Sequence, residues 1–259
     1  MKNIVFLAAL TALVSIPVCA DSKKESGKEK TESERALKTE KFAQNIYALT
    51  NSAGHAYLFV GKDSALLVDT LFESDNILQA VREITQLPVQ VVLTHGHPDH
   101  IGGMAYFDSC YIHKADAHLL PENKRVSYLS EGDFVTCGEF RFKVIEIPGH
   151  TDGSIALLDS NKKILIAGDS VQPGPIFMFG DGVDFKLYAQ SMKKLLQYEN
   201  DVQYVFAGHS GFPLEKTYIR YAFEDATDFL NGKLKGETVK LMGSDKKVYK
   251  GKHVSFFAD

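Results

Sequence analysis

His95-Gly96-His97-Pro98-Asp99-His100 places four potential metal ligands in one short stretch, directly after the apolar run Val89–Leu93. The run predicts a buried strand, so the ligands would sit at a fixed strand end on a constrained turn. Zinc takes imidazole nitrogen and carboxylate oxygen at about 2.0–2.2 Å, and rigidly held ligands bind it with little ordering cost. One tight turn does not place all four donors around a single tetrahedral ion. The spacing therefore favours two adjacent metals over a histidine-rich surface loop.

Three further candidate ligands also follow predicted strands and lie beside glycines. These are His150 in Pro148-Gly149-His150-Thr151-Asp152-Gly153-Ser154, Asp169 in Gly168-Asp169-Ser170, and His209 in Gly208-His209-Ser210-Gly211. Their strands are predicted over Phe140–Ile147, Ile164–Ala167 and Tyr204–Ala207. Functional sites of layered α/β sheets gather where several strand ends meet at one edge. A lone histidine is more often a satisfied buried residue, but four such strand ends indicate one shared site.

These motifs resemble the metallo-β-lactamase-fold hydrolase superfamily. His-Gly-His-Pro-Asp-His matches its signature, and the motifs around His150, Asp169 and His209 match its later elements in the same order. The resemblance covers about Phe42 to Leu230. It implies an α/β (α+β) fold, the four-layer αββα sandwich in which helices cover both outer faces. A shared fold does not fix the substrate, so the motifs specify the metal site better than the reaction.

The resemblance also implies how the seven motif residues divide. It assigns the first metal to His95, His97 and His150, the second to Asp99, His100 and His209, and makes Asp169 a bridge between them. A water or hydroxide would complete the bridge, because two cations lower its pKa toward neutrality. Asp99 would orient this hydroxide and shuttle protons, which makes it the candidate catalytic residue. We expect two zinc ions per chain, although iron or manganese also accepts these donors.

Composition limits the remaining possibilities. The chain has 259 residues, 44% hydrophobic and 24% charged, and we expect one globular domain over residues 42–259. The formal net charge is -4 and the pI is about 6.1. No run of Lys and Arg interleaved with aromatic residues appears in the core region, which argues against nucleic acid as a partner. A small-molecule substrate is expected, and the sequence leaves the oligomeric state open.

The beginning of the chain resembles a secretory signal peptide. Lys2 precedes the apolar run Ile4–Val18, and Val18-Cys19-Ala20 offers small residues for cleavage before Asp21. We therefore expect residues 1–20 to be a signal peptide, residues 21–41 to be a charged tether, and the protein to be exported, periplasmic or secreted, without an integral membrane span. A lipoprotein signal acylated at Cys19 is the alternative, but Ile16-Pro17-Val18 fits that site poorly.

Several other features are weaker guides to function. Candidate substrate contacts come from the Gly- and Pro-rich loop Val171–Asp184 and the helix after it: Phe177, Met178, Phe179 and Tyr188. Candidate partners of the ligating imidazoles are Thr94, Asp69 and Ser154. Four histidines lie outside the motifs, His55, His113, His118 and His253, and of these His55 could approach the site. Cys110 and Cys137 are expected to be buried, with their pairing left open.

The residues at positions 169 and 172 bear on the type of hydrolase. We expect hydrolysis of a small ester, thioester, lactone or amide. Asp169 stands where the secreted β-lactamases of the family have Cys or Ser, and it resembles instead the thioesterases, such as hydroxyacylglutathione hydrolases, and the lactonases. Gln172 stands where the lactonases have tyrosine. A periplasmic β-lactamase and a mononuclear iron sulfur dioxygenase remain alternatives, while a non-catalytic binding protein or a phosphodiesterase ranks lower.

Overall fold

The computed structural model describes residues 37–241 and 243–258. The predicted signal peptide, residues 1–20, its lipoprotein alternative at Cys19, and residues 21–36 of the predicted tether lie outside this part of the chain. The last residues of that tether are corrected by the structure, because Lys38–Ala43 is a strand. The boundary predicted at residue 42 therefore falls inside a strand whose side chains are almost all exposed.

The first sheet has seven strands in chain order. They are β1 (Lys38–Ala43), β2 (Ile46–Thr50), β3 (His55–Val60), β4 (Ala65–Val68), β5 (Val89–Val92), β6 (Ser109–His113) and β7 (Arg125–Leu129). The first four strands form an antiparallel meander, and β4 to β7 run parallel. Parallel neighbours need a crossover, and helix α1 (Ile77–Ile84) supplies the one between β4 and β5. Its buried residues Ile77, Ala80 and Val81 face the sheet.

The second sheet has six strands in the order β14-β13-β11-β10-β9-β8. They are β8 (Phe134–Cys137), β9 (Phe140–Glu146), β10 (Ile155–Asp159), β11 (Ile164–Gly168), β13 (Tyr204–Ala207) and β14 (Leu214–Glu215). Every residue of β10 and β11 is buried, as expected for strands covered on both faces. Helices α3 (Phe185–Leu195) and α4 (Thr217–Leu230) pack together on the outer face.

Three hydrophobic cores separate four layers, which confirms the predicted αββα sandwich. Phe59, Phe142 and Phe206 belong to the core between the two sheets. One outer core lies beneath α1, and the other lies beneath α3 and α4. Because side chains alternate along each strand, every inner strand supplies residues to two cores at once.

A third sheet occupies part of the loop predicted over Val171–Asp184 and the last part of the described chain, where the apolar stretches Val239–Met242 and Lys247–Phe256 predict a closing hairpin. It has four strands in the order β12-β17-β16-β15. These are β12 (Ile176–Met178), β15 (Gly236–Leu241), β16 (Ser244–Lys250) and β17 (Ser255–Ala258). The hairpin predicted from Val239–Met242 and Lys247–Phe256 is therefore formed by three strands, with a turn between β16 and β17. The buried Asp225 of α4 fixes this turn by accepting the backbone N–H groups of Lys252, His253 and Val254.

Short helices complete the described chain. Helix α2 (Pro98–Ile101) begins directly after His97, and four 3₁₀-helices cover Glu73–Asp75, Gly102–Tyr106, Lys114–Leu119 and Leu196–Asp201. Within residues 37–241 and 243–258, no helix is long and apolar enough to cross a membrane. Cys110 lies in β6 and Cys137 in β8; both are buried and neither forms a disulfide.

Candidate metal centre and active site

The three histidines of the first predicted group lie in contact at the ends of β5 and β9. Nε2 of His95 is 3.1 Å from Nδ1 of His97 and 3.3 Å from Nε2 of His150. The rings of His95 and His150 are buried, while His97 reaches the cavity described below. Three imidazole nitrogens that converge on one point form a donor set that could hold a metal ion.

The second group lies beside the first and is joined to it by Asp169. Oδ2 of Asp99 is 3.2 Å from Nε2 of His209 and 4.0 Å from Nε2 of His100. Asp169 places Oδ1 3.2 Å from Nε2 of His100, and Oδ2 3.2 Å from Nε2 of His209 and 3.6 Å from Nε2 of His150. One carboxylate therefore contacts histidines of both groups. Gly208 permits this approach, because a Cβ there would collide with Oδ1 of Asp169.

Two buried atoms at the centre have no hydrogen-bond partner among the described residues. They are Nε2 of His100 and Oδ1 of Asp169. The two atoms face each other, but not in hydrogen-bonding geometry. Buried polar atoms are normally satisfied, and a cation satisfies this pair: the proton of His100 in the metal-free protein, or a metal ion that displaces it. The nitrogen-rich donor set with two carboxylates suits a transition metal such as zinc. The residues therefore fit a metal cofactor.

The protonation states differ between the two groups. Burial lowers the pKa of His95 well below its usual value and that of His150 to about 4, and it also lowers the pKa of His97. Burial opposes the shift at His100 and His209, but the neighbouring carboxylates outweigh it. The pKa of His100 is thereby raised well above the usual value, and that of His209 is raised to about 9.

The pKa values of the two carboxylates are both lowered. Burial alone would raise the pKa of Asp169, but the charges of His100 and His209 hold it well below the usual range. At Asp99, burial likewise opposes the shift, and the hydrogen bond from His209 with the charge of His100 lowers the pKa. Both carboxylates are therefore ionised at neutral pH. Asp99 and Asp169 together balance the charges of His100 and His209, whereas the first group consists of neutral imidazoles that can donate electron pairs.

Asp69 and Thr94 hold the ligating rings, as the sequence predicted. Nδ1 of His100 is 2.8 Å from Oδ2 of Asp69, and Thr94 donates to Asp69 through its backbone N–H and its hydroxyl. The same hydroxyl lies 3.1 Å from Nδ1 of His95. Asp69 has a left-handed backbone with φ 62, a sparsely populated conformation that turns its carboxylate beneath the ligands. Ser154 contacts no ligating ring and instead bonds Thr151.

Asp116 is a supporting residue that sequence reasoning missed. Its buried carboxylate accepts the N–H of Gly96 at 2.8 Å, the hydroxyl of Thr151 at 2.7 Å and the N–H of Gly153 at 2.7 Å. Gly96 separates His95 from His97, and Thr151 follows His150. One side chain therefore ties together the two turns that carry the first group. It lies in the 3₁₀-helix Lys114–Leu119, where no motif marked it.

A cavity of about 490 Å³ opens over the ligands. Its floor contains polar groups, and its wall is largely apolar: Ala53, Phe72, Pro98, Phe177 and Phe179, above His97, Asp99, Asp169 and His209. Phe72 is 41% exposed. The wall and the floor together form a concave site with a few convergent polar groups, which is typical of an enzyme that binds a small molecule.

Two of the four predicted substrate contacts are wrong. Phe177 and Phe179 line the cavity, but Met178 alternates to the opposite face of β12 and is buried in the core. Tyr188 is also buried, on the inner face of α3, and donates its hydroxyl to the carbonyl of Ser170. The Phe177 carbonyl lies 2.8 Å from Nδ1 of His150, so the segment that forms the wall also orients a ligand.

The four histidines outside the motifs do not join the ligand groups. His55 lies next to the centre, where its backbone N–H donates to Gly208, but its ring packs near Tyr57 and Phe212. Burial, followed by the charge of His209, lowers the pKa of His55 to about 4. His113 pairs with Glu146, His118 contacts its own helix, and His253 stacks on Tyr221.

Comparison with known proteins agrees with this geometry. The sequence model of the metallo-beta-lactamase superfamily matches residues 49–209. The chain is 41% identical over 85 residues to a hydroxyacylglutathione hydrolase of Bdellovibrio bacteriovorus, covering 31% of this chain and 34% of that protein. It is 28% identical over 167 residues to the acyl-coenzyme A thioesterase MBLAC2 of Homo sapiens, covering 51% and 60%. The chain thus spans less than two thirds of either relative.

The same fold is found among solved structures. The DIM-1 metallo-β-lactamase exposed to ceftazidime superposes with a TM-score of 0.64 at 19% identity, over 75% of this chain and 98% of that one. The matched motifs and the sandwich together show that the chain belongs to the metallo-β-lactamase superfamily. It is a metallo-hydrolase of that superfamily.

Proposed function

We propose that the protein is a dinuclear zinc hydrolase that cleaves a small thioester or ester, with lactones and amides as less favoured substrates. The observation that carries the proposal is the position of Asp169, whose two oxygens contact histidines of both groups. A single carboxylate placed in this way can offer one oxygen to each of two ions. Because all seven donors are in place, the site supports catalysis rather than binding alone.

The residues of the site have two roles: seven would bind the metal ions, and two buried carboxylates support them. His95, His97 and His150 would hold the first ion, and Asp99, His100 and His209 the second, with Asp169 between them. Bound zinc would supply a Lewis acid and a water acidified to near neutrality. Asp69 and Asp116 fix the ligand-bearing turns, which limits reorganisation during the reaction.

Asp99 is the residue placed to move protons. Its side chain is 22% exposed and lines the cavity, whereas that of Asp169 is only 4% exposed. Its lowered pKa keeps it ionised, so it can accept a proton from the attacking water. The same carboxylate can then donate this proton to the leaving thiol or alcohol, which balances the hydrolysis without a covalent enzyme intermediate.

Two considerations favour a thioester or ester. The two relatives described above are named as a hydroxyacylglutathione hydrolase and an acyl-coenzyme A thioesterase, and both names denote thioester cleavage. The aspartate at position 169 also differs from the Cys or Ser of the secreted β-lactamases. β-Lactam hydrolysis remains the alternative, but the structural neighbours of that activity share too little sequence to argue more than the fold.

A substrate panel tests the proposal. Zinc-loaded protein would be assayed with a thioester, an ester, an acyl-homoserine lactone, a cephalosporin and a phosphodiester. We expect turnover of the thioester or ester that disappears with chelator and in His97→Ala, and that persists in His118→Ala, which changes an exposed histidine outside the centre. Protein that binds two zinc ions but cleaves none of the five compounds would contradict the proposal.

Metal analysis separates the remaining alternative. A sulfur dioxygenase of this superfamily would use one iron, whereas the two donor groups described here favour two ions per chain. We further propose that the enzyme is exported, on the basis of Lys2 and the apolar run Ile4–Val18. Cell fractionation with an antibody against the chain tests this: recovery in the cytoplasm alone would contradict it.

A further inference from the structure

The third sheet has one face packed on the core and one that is partly open. Ile176, Met178, Phe256 and Ala258 point inward and are buried beneath α3 and α4. The alternate residues must point outward, because neighbouring side chains on a strand face opposite sides. Among them, Phe177 and Phe257 pair in register, and their ring centroids lie 5.3 Å apart.

The outward face carries apolar residues on all four strands, with charged residues among them: Glu237 pairs in register with Val248 and forms an ion pair with Lys250. Phe257 pairs with Val248 of β16, and Val239 of β15 pairs with Lys246. Leu241 lies two residues beyond Val239 and therefore shares its face. Phe177, Phe257, Val239 and Leu241 are half-buried, and Val248 is buried between its neighbours. These five residues, Phe177, Phe257, Val248, Val239 and Leu241, are here called the apolar strip.

The apolar strip is continuous with the cavity over the metal ligands. Phe177 belongs to both, since its side chain lines the cavity wall and contacts the ring of Phe257 edge to face. A second connection lies alongside: Nζ of Lys246 is 4.4 Å from the ring centroid of Phe179, another wall residue. Strand β16 therefore reaches the wall, and β15 lies farther from it. Three strand spacings, about 14 Å, separate β12 from β15, and the apolar residues along this path lie beside Lys246 and Glu237.

From this continuity we propose that the strip is an extension of the substrate site that binds an unbranched apolar chain attached to the scissile ester or thioester. The inference rests on the hydrolase function proposed above and names its substrate class: a compound with a linear alkyl chain. The strip is formed mainly by residues 236–258, which lie beyond the matched superfamily segment. Substrate selection would therefore be a property of this C-terminal addition rather than of the shared fold.

The expected signature is a dependence of catalysis on chain length. Each methylene that moves from water onto the strip adds binding free energy, corresponding to roughly threefold in kcat/KM when burial is nearly complete. We would measure two zinc-loaded series, one with acyl groups from acetyl to dodecanoyl and one with alcohols of matching lengths. The kcat/KM is expected to rise with chain length in at least one series.

A matched pair of variants assigns the effect to the strip. Val239→Lys places a charge on the outward face of β15, whereas Thr238→Lys places one on the inward side of the same strand, at a residue that is exposed because the core does not extend beneath it. We expect Val239→Lys to lower kcat/KM for the longest substrate at least tenfold more than kcat/KM for the acetyl ester. Thr238→Lys should retain the wild-type dependence. A flat dependence in both series, or identical slopes for the two variants, would overturn the proposal.

A binding measurement keeps the two proposals distinguishable. Linear fatty acids resemble the products, and their dissociation constants can be measured without turnover. Tighter binding of longer acids that is lost in Val239→Lys supports the strip even if no ester is cleaved, in which case only the proposed reaction fails. Ester turnover accompanied by length-independent binding of the acids refutes the strip alone. Dimerisation that is lost in Val239→Lys would assign the strip to a second copy of the chain and also refute the proposal.

Discussion

The floor and the wall of the active-site cavity are built differently. The floor consists of ligands at strand ends of the two large sheets, fixed by buried carboxylates such as Asp69 and Asp116. The wall comes from Phe72, beside a short 3₁₀-helix, and from Phe177 and Phe179, in and after a three-residue strand of the third sheet. The difference indicates that the sandwich determines the chemistry while peripheral segments determine which substrate reaches it.

The largest expected effect comes from the floor. Asp169→Asn leaves a side chain of the same size but removes the charge that serves both groups. We expect activity at the level of the uncatalysed control and a loss of metal, measured by kcat and by metal content per chain. Asp159→Asn is the control, because Asp159 is a fully buried carboxylate that accepts backbone N–H groups elsewhere in the second sheet. Near-normal activity in Asp169→Asn would contradict the division between floor and wall.

A smaller effect on metal affinity is expected at Asp116, which supports the ligand-bearing turns. Asp116→Asn weakens the link between the turns of His95 and His150, and such changes typically cost 10–100-fold in metal affinity. Asp225→Asn offers a matched control, since that carboxylate is equally buried and also accepts three hydrogen bonds, all from backbone N–H groups at the third sheet. We expect both variants to lower the melting temperature and only Asp116→Asn to raise the zinc dissociation constant. Equal zinc affinity in the two variants would assign Asp116 a purely structural role.

The wall should respond in KM rather than in kcat. Phe72→Ala removes a 41% exposed ring from the cavity mouth without opening a core cavity. We expect KM for an apolar ester to rise about tenfold with little change in kcat, because the ring binds ground state and transition state alike. Tyr128→Ala, which removes a 56% exposed ring from β7, should leave both constants unchanged. A fall in kcat comparable to that of Asp169→Asn would place Phe72 in the catalytic machinery.

The smallest expected effect is a difference in the pH dependence of metal affinity between the two ligand groups of the floor. At neutral pH His209 and His100 carry protons in the metal-free protein, because their pKa values are raised, that of His209 to about 9. These protons compete with the metal, so affinity at this group should rise with pH through about 9, where His209 loses its proton. The first group has lowered pKa values, that of His150 about 4, so its imidazoles are already neutral and its affinity should change little with pH near neutrality.

Isothermal titration in two buffers of different ionisation enthalpy measures this contrast. One of the two binding events should release protons at neutral pH, and the other should release few. Identical proton release for both ions, or none for either, would contradict the assigned protonation states.

The sequence predicted the floor far better than the wall. Each turn that carries ligands follows an apolar run and contains glycine, so the positions of the ligands were encoded locally by motif and periodicity. Asp116 escaped notice because its partners, Gly96, Thr151 and Gly153, are distant in sequence and its own helix has no motif. The prediction for Met178 failed because the sequence predicts a loop there, whereas the structure forms strand β12, which pairs with the distant β17. Alternation along that strand turns Met178 away from the cavity.

The edge strands show a similar limit. β1 has almost only exposed residues, and one bulge interrupts its pairing with β2. β7 is also mostly exposed. Strands of this kind lack the apolar alternation on which prediction relies, since their stability comes from pairing with a neighbour rather than from burial. The central strands β10 and β11, in contrast, are buried throughout and were predicted within a residue or so of their observed ends.

The most direct test of the two-metal floor is a crystal structure of the zinc-loaded protein with anomalous data collected at the zinc edge. The account predicts two anomalous peaks per chain, one among His95, His97 and His150 and one among Asp99, His100 and His209, each within bonding distance of Asp169. A single peak, or peaks that leave Asp169 uncoordinated, would contradict it.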